Sequence, residues 1–315
     1  MGKNRSKISI IVPFYNEGKN VDLFYDAVCN VFSKLSHLYF EVICVDDGSC
    51  DETLEKLVLI TQKDPRFLVV ELSRNFGKEA ALSAGIDLAA GDAVIPIDAD
   101  LQDPPELIVE MVKEWSKGAE VVLARRVDRS SDSFLKRTTA EVFYRFHNQL
   151  SAIQIPKNVG DFRLMDRIVV DALKQLPEQH RFMKGLFAWV GFKTVTLDYV
   201  RNPRIAGTTN FSGWKLWNFA LEGFTSFSAA PLTLWSYIGG FGALLTFIYA
   251  IFIITRTLIF GVDVPGYASL LVAVLFFGSL QLISVGVLGE YIGRIYMETK
   301  NRPLYLIRKQ YGTKE

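Results

Sequence analysis

The chain has 315 residues, with 35 Lys and Arg against 34 Asp and Glu and a formal net charge of +1. That balance offers no basic surface for a nucleic-acid backbone, and the length allows one large or two ordinary domains. Its three cysteines, Cys29, Cys44 and Cys50, are scattered and odd in number, which excludes a disulfide framework or a zinc site and fits a reduced compartment.

The N-terminal MGKNRSKISIIVPF lacks the long apolar region of a signal peptide. Ile8 to Pro13 is a short apolar run that ends in FYNEGKN, and Val21, Phe24, Val28 and Phe32 then recur at helical spacing. Phe40 to Val45 reads as a second strand, ending in DDGSCDET, with a helix from Asp51. Phe67 to Leu72 is a third, ending in SRNFGKEAAL, where a helix starts near Gly77. Ala93 to Ile97 is the fourth strand and Glu120 to Ala124 the fifth. Strands alternating with helices predict an α/β fold with a parallel, doubly wound sheet.

The fourth strand carries the chemistry. VIPIDADLQDPPE, residues 94 to 106, ends an apolar run in Asp98 and Asp100. In open α/β sheets ligands bind at the carboxyl edge. Two carboxylates at i and i+2 can share a hard divalent cation, Mg2+ or Mn2+, with phosphate oxygens completing its shell. The alternative is a helix cap and a solvated turn. The neighbouring strand ends are polar too: Asn16 and Glu17, Asp46 and Asp47, then Arg74, Asn75 and Lys78. A nucleoside fits such an edge, with Asp46 or Asp47 accepting from a base imide or ribose hydroxyl and Lys78 offsetting phosphate charge near a helix N-terminus. Neither G-x-G-x-x-G nor G-x-x-x-x-G-K is present, so the usual dinucleotide and P-loop readings fail.

VPFYNE (12–17), VDDGSCDET (45–53), RNFGKEAALSAG (74–85) and DADLQDPPE (98–106) occur in that order. Together they resemble the family 2 glycosyltransferases with the nucleotide-sugar (GT-A, Rossmann-like) fold. More narrowly, the chain resembles the polyprenyl-phosphate group, which includes bactoprenol glucosyltransferases and dolichol-phosphate mannose synthases. The resemblance implies a metal site at Asp98 and Asp100. It also implies a donor pocket containing Pro13, Tyr15, Glu17, Asp46, Asp47, Lys78, Asp98 and Ala99.

From residue 129, RSSDSFLKRTTAEVFYRFHNQL has apolar residues at helical spacing interleaved with Lys136, Arg137 and Arg145. It reads as an interfacial amphipathic helix, about 131–152; a surface helix on a soluble domain is the alternative. If interfacial, Arg137 and Thr138 can hold the phosphate of a lipid acceptor, as the resemblance implies, with Arg126 nearby and Arg204 from the loop 201–216. In that loop Asn210 stands where relatives commonly carry Lys. Asp161, in GDFRLMDR, is the acid expected to face the acceptor; the alternative is a turn Asp ahead of a helix beginning near Asp166. The processive-synthase signature Q-x-x-R-W is absent.

WKLWNFALEGFTSFS, 214 to 228, is aromatic-rich and reads as an interface anchor over about 212–228, or as a groove for an isoprenoid chain. Gly223 to Thr255 and Val264 to Gly289 carry no charged residue. Each exceeds the roughly 20 residues that span a bilayer. Two C-terminal transmembrane helices are therefore expected, about 232–256 and 267–290. Arg294, Lys300, Arg302, Arg308, Lys309 and Lys314 follow them. By the positive-inside tendency both ends lie on the cytoplasmic side of a bacterial membrane.

The expected organisation is a catalytic domain (1–228), a membrane hairpin (229–295) and a cytoplasmic tail (296–315). Gly239, Gly240, Gly242, Gly286 and Gly289 suit close helix packing and a homo-oligomer. The expected reaction is inverting transfer of a hexose from a nucleotide sugar to polyprenyl (undecaprenyl) phosphate. UDP-glucose is the first choice of donor, because GTTNFSGWKLWNFALEGFTSFSAAPL looks most like the bactoprenol glucosyltransferases. Mannose and 4-amino-arabinose derivatives stay open, as do a glycolipid or polysaccharide acceptor and a non-enzymatic scaffold or lipid carrier.

Overall fold

The structure is a computed structural model that describes residues 6–127, 158–178, 181, 183–200, 230–261 and 266–312. Strands β1 (Lys7–Phe14), β2 (Tyr39–Asp46), β3 (Phe67–Leu72) and β4 (Ala93–Pro96) are parallel, joined through helices α1 (Val21–Lys34), α2 (Thr53–Lys63) and α3 (Lys78–Leu88). Helix α4 (Leu107–Ser116) leads to β5 (Val121–Arg126). Then come β6 (Val159–Asp166), α5 (Arg167–Lys174), α6 (Met183–Trp189) and β7 (Thr194–Tyr199). Two long helices, α7 (Ala230–Phe260) and α8 (Tyr267–Thr299), precede β8 (Ile307–Tyr311).

The sheet has the order β7-β5-β6-β4-β1-β2-β3-β8. The five strands expected from the sequence, β1 to β5, run in one direction, and the sheet is mixed because two further strands join it antiparallel. β6 lies between β4 and β5, antiparallel to both, and β8 lies antiparallel on β3. Apolar periodicity reports that a segment is a strand; it carries no information on direction.

Both faces of the sheet are covered, so its strands read as nearly unbroken apolar runs. Ile8, Ile10, Val12 and Phe14 of β1 are buried on the face shared with α1, α2 and α4, and Ile11 is buried on the other face with α3. α3 comes so close that a Cβ on Gly85 would lie 2.2 Å from Ile11 Cγ2.

Ser9 is a polar residue at 0% exposure in the middle of β1. Its hydroxyl donates to Glu41 and accepts from Gly91 N at 2.8 Å. Glu41 also accepts from Ala90 N at 2.7 Å and pairs with Lys7 Nζ at 2.6 Å. Burial raises the Glu41 pKa, but Lys7, Ser9 and Ala90 outweigh it, and the carboxyl sits below its ordinary value. A depressed folded value stabilises the fold above the unfolded pKa, near 4.5, and that stability is lost as pH falls through the folded value. Glu41→Gln is therefore expected to lower stability at pH 7 by about 1–2 kcal/mol. It should also flatten the acid limb below about pH 4.5, read as denaturation midpoints across pH. A mutant with the wild-type acid limb would contradict this assignment.

The segment expected as a cytoplasmic tail, 296–315, has structure of its own: α8 runs on to Thr299 and the chain then returns to the sheet as β8. Tyr311 donates to Glu71 at 2.8 Å, Tyr305 donates to Asp87 at 2.7 Å, and Ser73 N donates to Leu306 O at 2.9 Å. IRKQY is a polar edge strand whose side chains are mostly exposed, so it carries no apolar alternation to read.

The expected membrane segments fall within α7 and α8. Among the described residues, Ala273–Thr299 is long and apolar enough to cross a membrane, and Tyr237–Tyr249 is a shorter apolar stretch. One of the two expected crossings thus meets the length and composition test. Its apolar side chains are largely exposed, Leu282 among them.

Candidate active site

The parallel strands β1 to β4 end on one edge, and their loops lace together there. Asn16 N donates to Ser49 Oγ at 3.0 Å, and Asn16 Oδ1 accepts from Cys50 N at 2.8 Å. Glu17 N donates to Thr53 Oγ1 at 2.9 Å, and its carboxylate accepts from Asn20 Nδ2 at 2.5 Å. Tyr15 projects beside them, 48% exposed.

The two acids that end β2 differ in duty. Both oxygens of Asp47 accept backbone N–H groups, from Phe76 at 2.7 Å and Gly77 at 2.8 Å. Asp47 therefore fastens the β3–α3 loop, a structural task that the sequence does not separate from ligand binding. Asp46 accepts from Ser49 N at 3.2 Å through Oδ2, while its buried Oδ1 has no hydrogen-bond partner. Burial pushes its pKa up. Of the pair, Asp46 is the acid with acceptor capacity to spare.

Asp98 and Asp100 follow β4, with Ala99 buried between them. Asp100 is buried and accepts from Gln102 N at 3.2 Å. Asp98 is bound by Lys78, whose Nζ lies 2.7 Å from its Oδ1 and 2.9 Å from its Oδ2. The same ammonium lies 2.7 Å from Asp161 Oδ2. Three residues far apart in sequence thus meet at one cation.

The meeting follows from β6. Antiparallel pairing sets Asp166 opposite Ala93 and Met165 opposite Val94. The same register, continued upward, brings Asp161 level with Asp98. Arg163 holds the start of the strand: it is buried, donates to Gly160 O at 2.7 Å and stacks over the Phe187 ring at 4.0 Å. Asp161 therefore lies on a strand, and the alternative of a turn Asp falls away. The helix after it starts as expected, capped by Asp166, whose side chain accepts from Ile168 N at 3.1 Å.

The electrostatics of the cluster are strong. Burial would raise Asp161, but Lys78, Lys184 and Arg163 hold it down to about 2, so it is ionised at neutral pH. Burial of Asp98 wins over Lys78 and raises its pKa. Desolvation would lower Lys78, yet Asp98 and Asp161 raise it and keep it charged. Next to it stands Glu79, which burial and the charge of Asp161 push up to about 7. The sequence reading missed Glu79, because an acid in the first turn of a helix reads as a dipole partner in water.

Arg126, at the end of β5, donates to Tyr199 Oη at 3.1 Å and lies 3.7 Å from Asp103. Tyr199 in turn donates to Asp103 at 2.5 Å. This links the DPPE turn to β5 and β7, a few residues from Asp100. Arg137, Thr138 and Arg204, and the interfacial helices at about 131–152 and 212–228, lie outside the described residues.

Among the described residues no cluster of three or more His, Cys, Asp or Glu is arranged to hold a metal ion. Asp98 and Asp100 would hold an ion only together with a ligand's own oxygens. The site fits that arrangement: the two residues are hard oxygen donors that follow β4 at the edge where the parallel strands end.

A glycosyl transferase family 2 model matches residues 9–174. The chain is 53% identical over 305 residues to the SfII prophage-derived bactoprenol glucosyl transferase of Shigella flexneri, covering 97% of this chain and 98% of that protein. It is 52% identical over 303 residues to the prophage bactoprenol glucosyl transferase homolog of Escherichia coli, covering 96% and 99%. It is 54% identical over 306 residues to an uncharacterized glycosyltransferase of Synechocystis, covering 97% and 96%.

Proposed function

The chain belongs to glycosyl transferase family 2, and from that premise we propose that it transfers glucose from UDP-glucose to polyprenyl (undecaprenyl) phosphate. The observation that carries this reading is Lys78 held between Asp98 and Asp161 at the carboxyl edge, 2.7 Å from each. Similarity over nearly the whole chain to bactoprenol glucosyl transferases supports the acceptor and the sugar. Family membership makes the protein an enzyme and sets aside the scaffold reading.

A phosphate oxygen of the acceptor attacks the anomeric carbon. The bond from that carbon to the diphosphate breaks, and UDP leaves with the electron pair, giving inversion in one displacement. A Mg2+ or Mn2+ ion held by Asp98 and Asp100 would supply positive charge to the leaving diphosphate. Lys78 adds a second cation there, exchanging its contact with Asp98 for phosphate oxygens while keeping Asp161. A phosphate acceptor is already anionic at neutral pH, so Asp161 need not act as a strong base. Arg126, Arg137, Thr138 and Arg204 are assigned to the acceptor phosphate, with Tyr199 and Asp103 setting Arg126 in place. The gain over the uncatalysed reaction comes mainly from positioning and charge neutralisation.

In this reading the protein sits in a bacterial cytoplasmic membrane as a two-pass protein with both ends inside. Ala273–Thr299 supports one crossing and the basic residues after Gly289 support the orientation. A Cβ at Gly239, Gly240, Gly286 or Gly289 would meet nothing within 4 Å, an open small-residue surface that favours a homo-oligomer. The test is transfer of radiolabelled sugar into the organic phase by the full chain with Mg2+ and undecaprenyl phosphate. Label is expected from UDP-glucose and not from UDP-galactose or GDP-mannose. Label from another donor would change the sugar; no label from any donor would remove the acceptor.

A further inference from the structure

Two side-chain oxygens near Lys78 are shut off from solvent and accept no hydrogen bond: Asp161 Oδ1 and Glu79 Oε2. Buried acceptors in native structures are nearly always matched, and the exceptions call for a ligand or a strained role. Lys78 holds Asp161 through Oδ2 at 2.7 Å, which orients that side chain and leaves Oδ1 over. Glu79 follows Lys78 directly in the first turn of α3, with Oε2 likewise unmatched.

The missing partner must bring a donor for Asp161 Oδ1 and, for Glu79, a group able to donate or accept, since that carboxyl is pushed up to about 7. Lys78 already serves Asp161 and Asp98. Lys184 and Arg163 act on Asp161 through charge, without a hydrogen bond to Oδ1 or to Glu79 Oε2. In the reading above, the donor diphosphate lies against Asp98, Asp100 and Lys78. A hexose attached to that diphosphate begins one bond away, beside Asp161 and the first turn of α3. Its hydroxyl groups are donors, neutral and small enough to enter a site crowded by carboxylates.

We infer that Glu79 and Asp161 form the subsite for the hydroxyl groups of the transferred hexose, with Glu79 a specificity residue. This rests on the reading that the donor is a nucleotide sugar. Glu79 touches the sugar and not the nucleotide, so it discriminates UDP-glucose from UDP. A site built to accept from a hydroxyl rejects the analogue that lacks it, because a buried acceptor is then left unpaired.

The experiment is calorimetric titration of the full chain in detergent, with Mn2+ present, using UDP and UDP-glucose as separate ligands. Glu79→Ala is expected to weaken UDP-glucose about ten-fold or more and to leave UDP within about two-fold, since UDP has no hexose to lose. Glu79→Gln keeps a carbonyl acceptor and should recover part of the loss. UDP-glucose analogues each lacking one hydroxyl identify the contact: the analogue missing the bound hydroxyl should lose little further affinity in Glu79→Ala, because removals on the two sides of one contact are not additive. Equal weakening of UDP and UDP-glucose, no weakening of either, or loss of Mn2+ binding in the UDP complex would each overturn the assignment. Wild-type protein that binds no nucleotide sugar would overturn the reading of the reaction itself, whereas normal wild-type binding with unchanged variants overturns only the role of Glu79.

Discussion

Asp98→Ala is expected to lower sugar transfer by about a thousand-fold or more, with the protein still folded. Asp98 has two tasks in the proposed reaction. It supplies one of the two carboxylates for the divalent ion, and it holds Lys78 through both of its oxygens. Removing it leaves Lys78 committed to Asp161 alone, so both cations that would neutralise the leaving diphosphate are misplaced. Loss of one preorganised charge-stabilising group typically costs about a hundred- to a thousand-fold in rate, and here two are affected. Asp100→Ala should fall in the same range, because it removes the other carboxylate assigned to the ion. Asp98 follows the end of β4 and carries no core packing, so the circular dichroism spectrum and melting midpoint should stay close to wild type. Initial rates of label transfer, measured beside that folding control, decide the matter. More than about a tenth of wild-type activity in either variant would remove the carboxylates from the mechanism.

Gly48→Val should cost about 3 kcal/mol of stability and weaken donor binding together, since one contact serves both. Gly48 has φ +70°, a left-handed conformation that β-branched residues resist. A Cβ there would also stand 2.6 Å from the backbone C of Arg74 and 2.6 Å from the backbone N of Asn75. Those atoms belong to the main chain and cannot swing aside as a side-chain tip can. The collision falls where Asp47 takes the Phe76 and Gly77 N–H groups, so the β2 loop and the start of α3 would be pushed apart. Lys78 opens α3 and would move with it. A drop of roughly 6–12 °C in melting midpoint is expected, with weaker UDP binding. Gly77→Ala is the contrast: its φ is +98° but no atom lies within 4 Å of its Cβ, so only the backbone term applies and the loss should be smaller. Equal losses in the two variants would mean that close approach is not what Gly48 provides.

Much of the site was legible in the residues because each piece is local. VIPIDADLQDPPE announces a strand that stops at acids, and VDDGSCDET and RNFGKEAAL announce two more loops at the same edge. A parallel sheet puts the ends of successive strands side by side, so the meeting of those loops could be foreseen. The family match over residues 9–174 agrees with that reading. Asp161 was reached by resemblance and not by geometry: GDFR contains a glycine and an acid that look like a turn. Its place on β6, level with Asp98, depends on an antiparallel strand inserted between β4 and β5. Strand direction and order leave no trace in periodicity.

The amino-acid sequence by itself determined where the first five strands and the helices between them lie, which edge carries the polar groups, and that two long apolar segments follow in the C-terminal part. Those are consequences of spacing and of hydrophobicity, which act over neighbouring residues. Only the tertiary structure decided that Lys78 serves Asp98 and Asp161 at once, that Asp47 is spent on a loop while Asp46 keeps a free oxygen, and that Glu79 Oε2 is shut off from solvent. It also returned β8 to the edge of β3. The physical reason is that a side chain's partners, and hence its charge state and spare bonding capacity, are set by groups 20 to 240 residues away, and local pattern carries no record of contacts at that range.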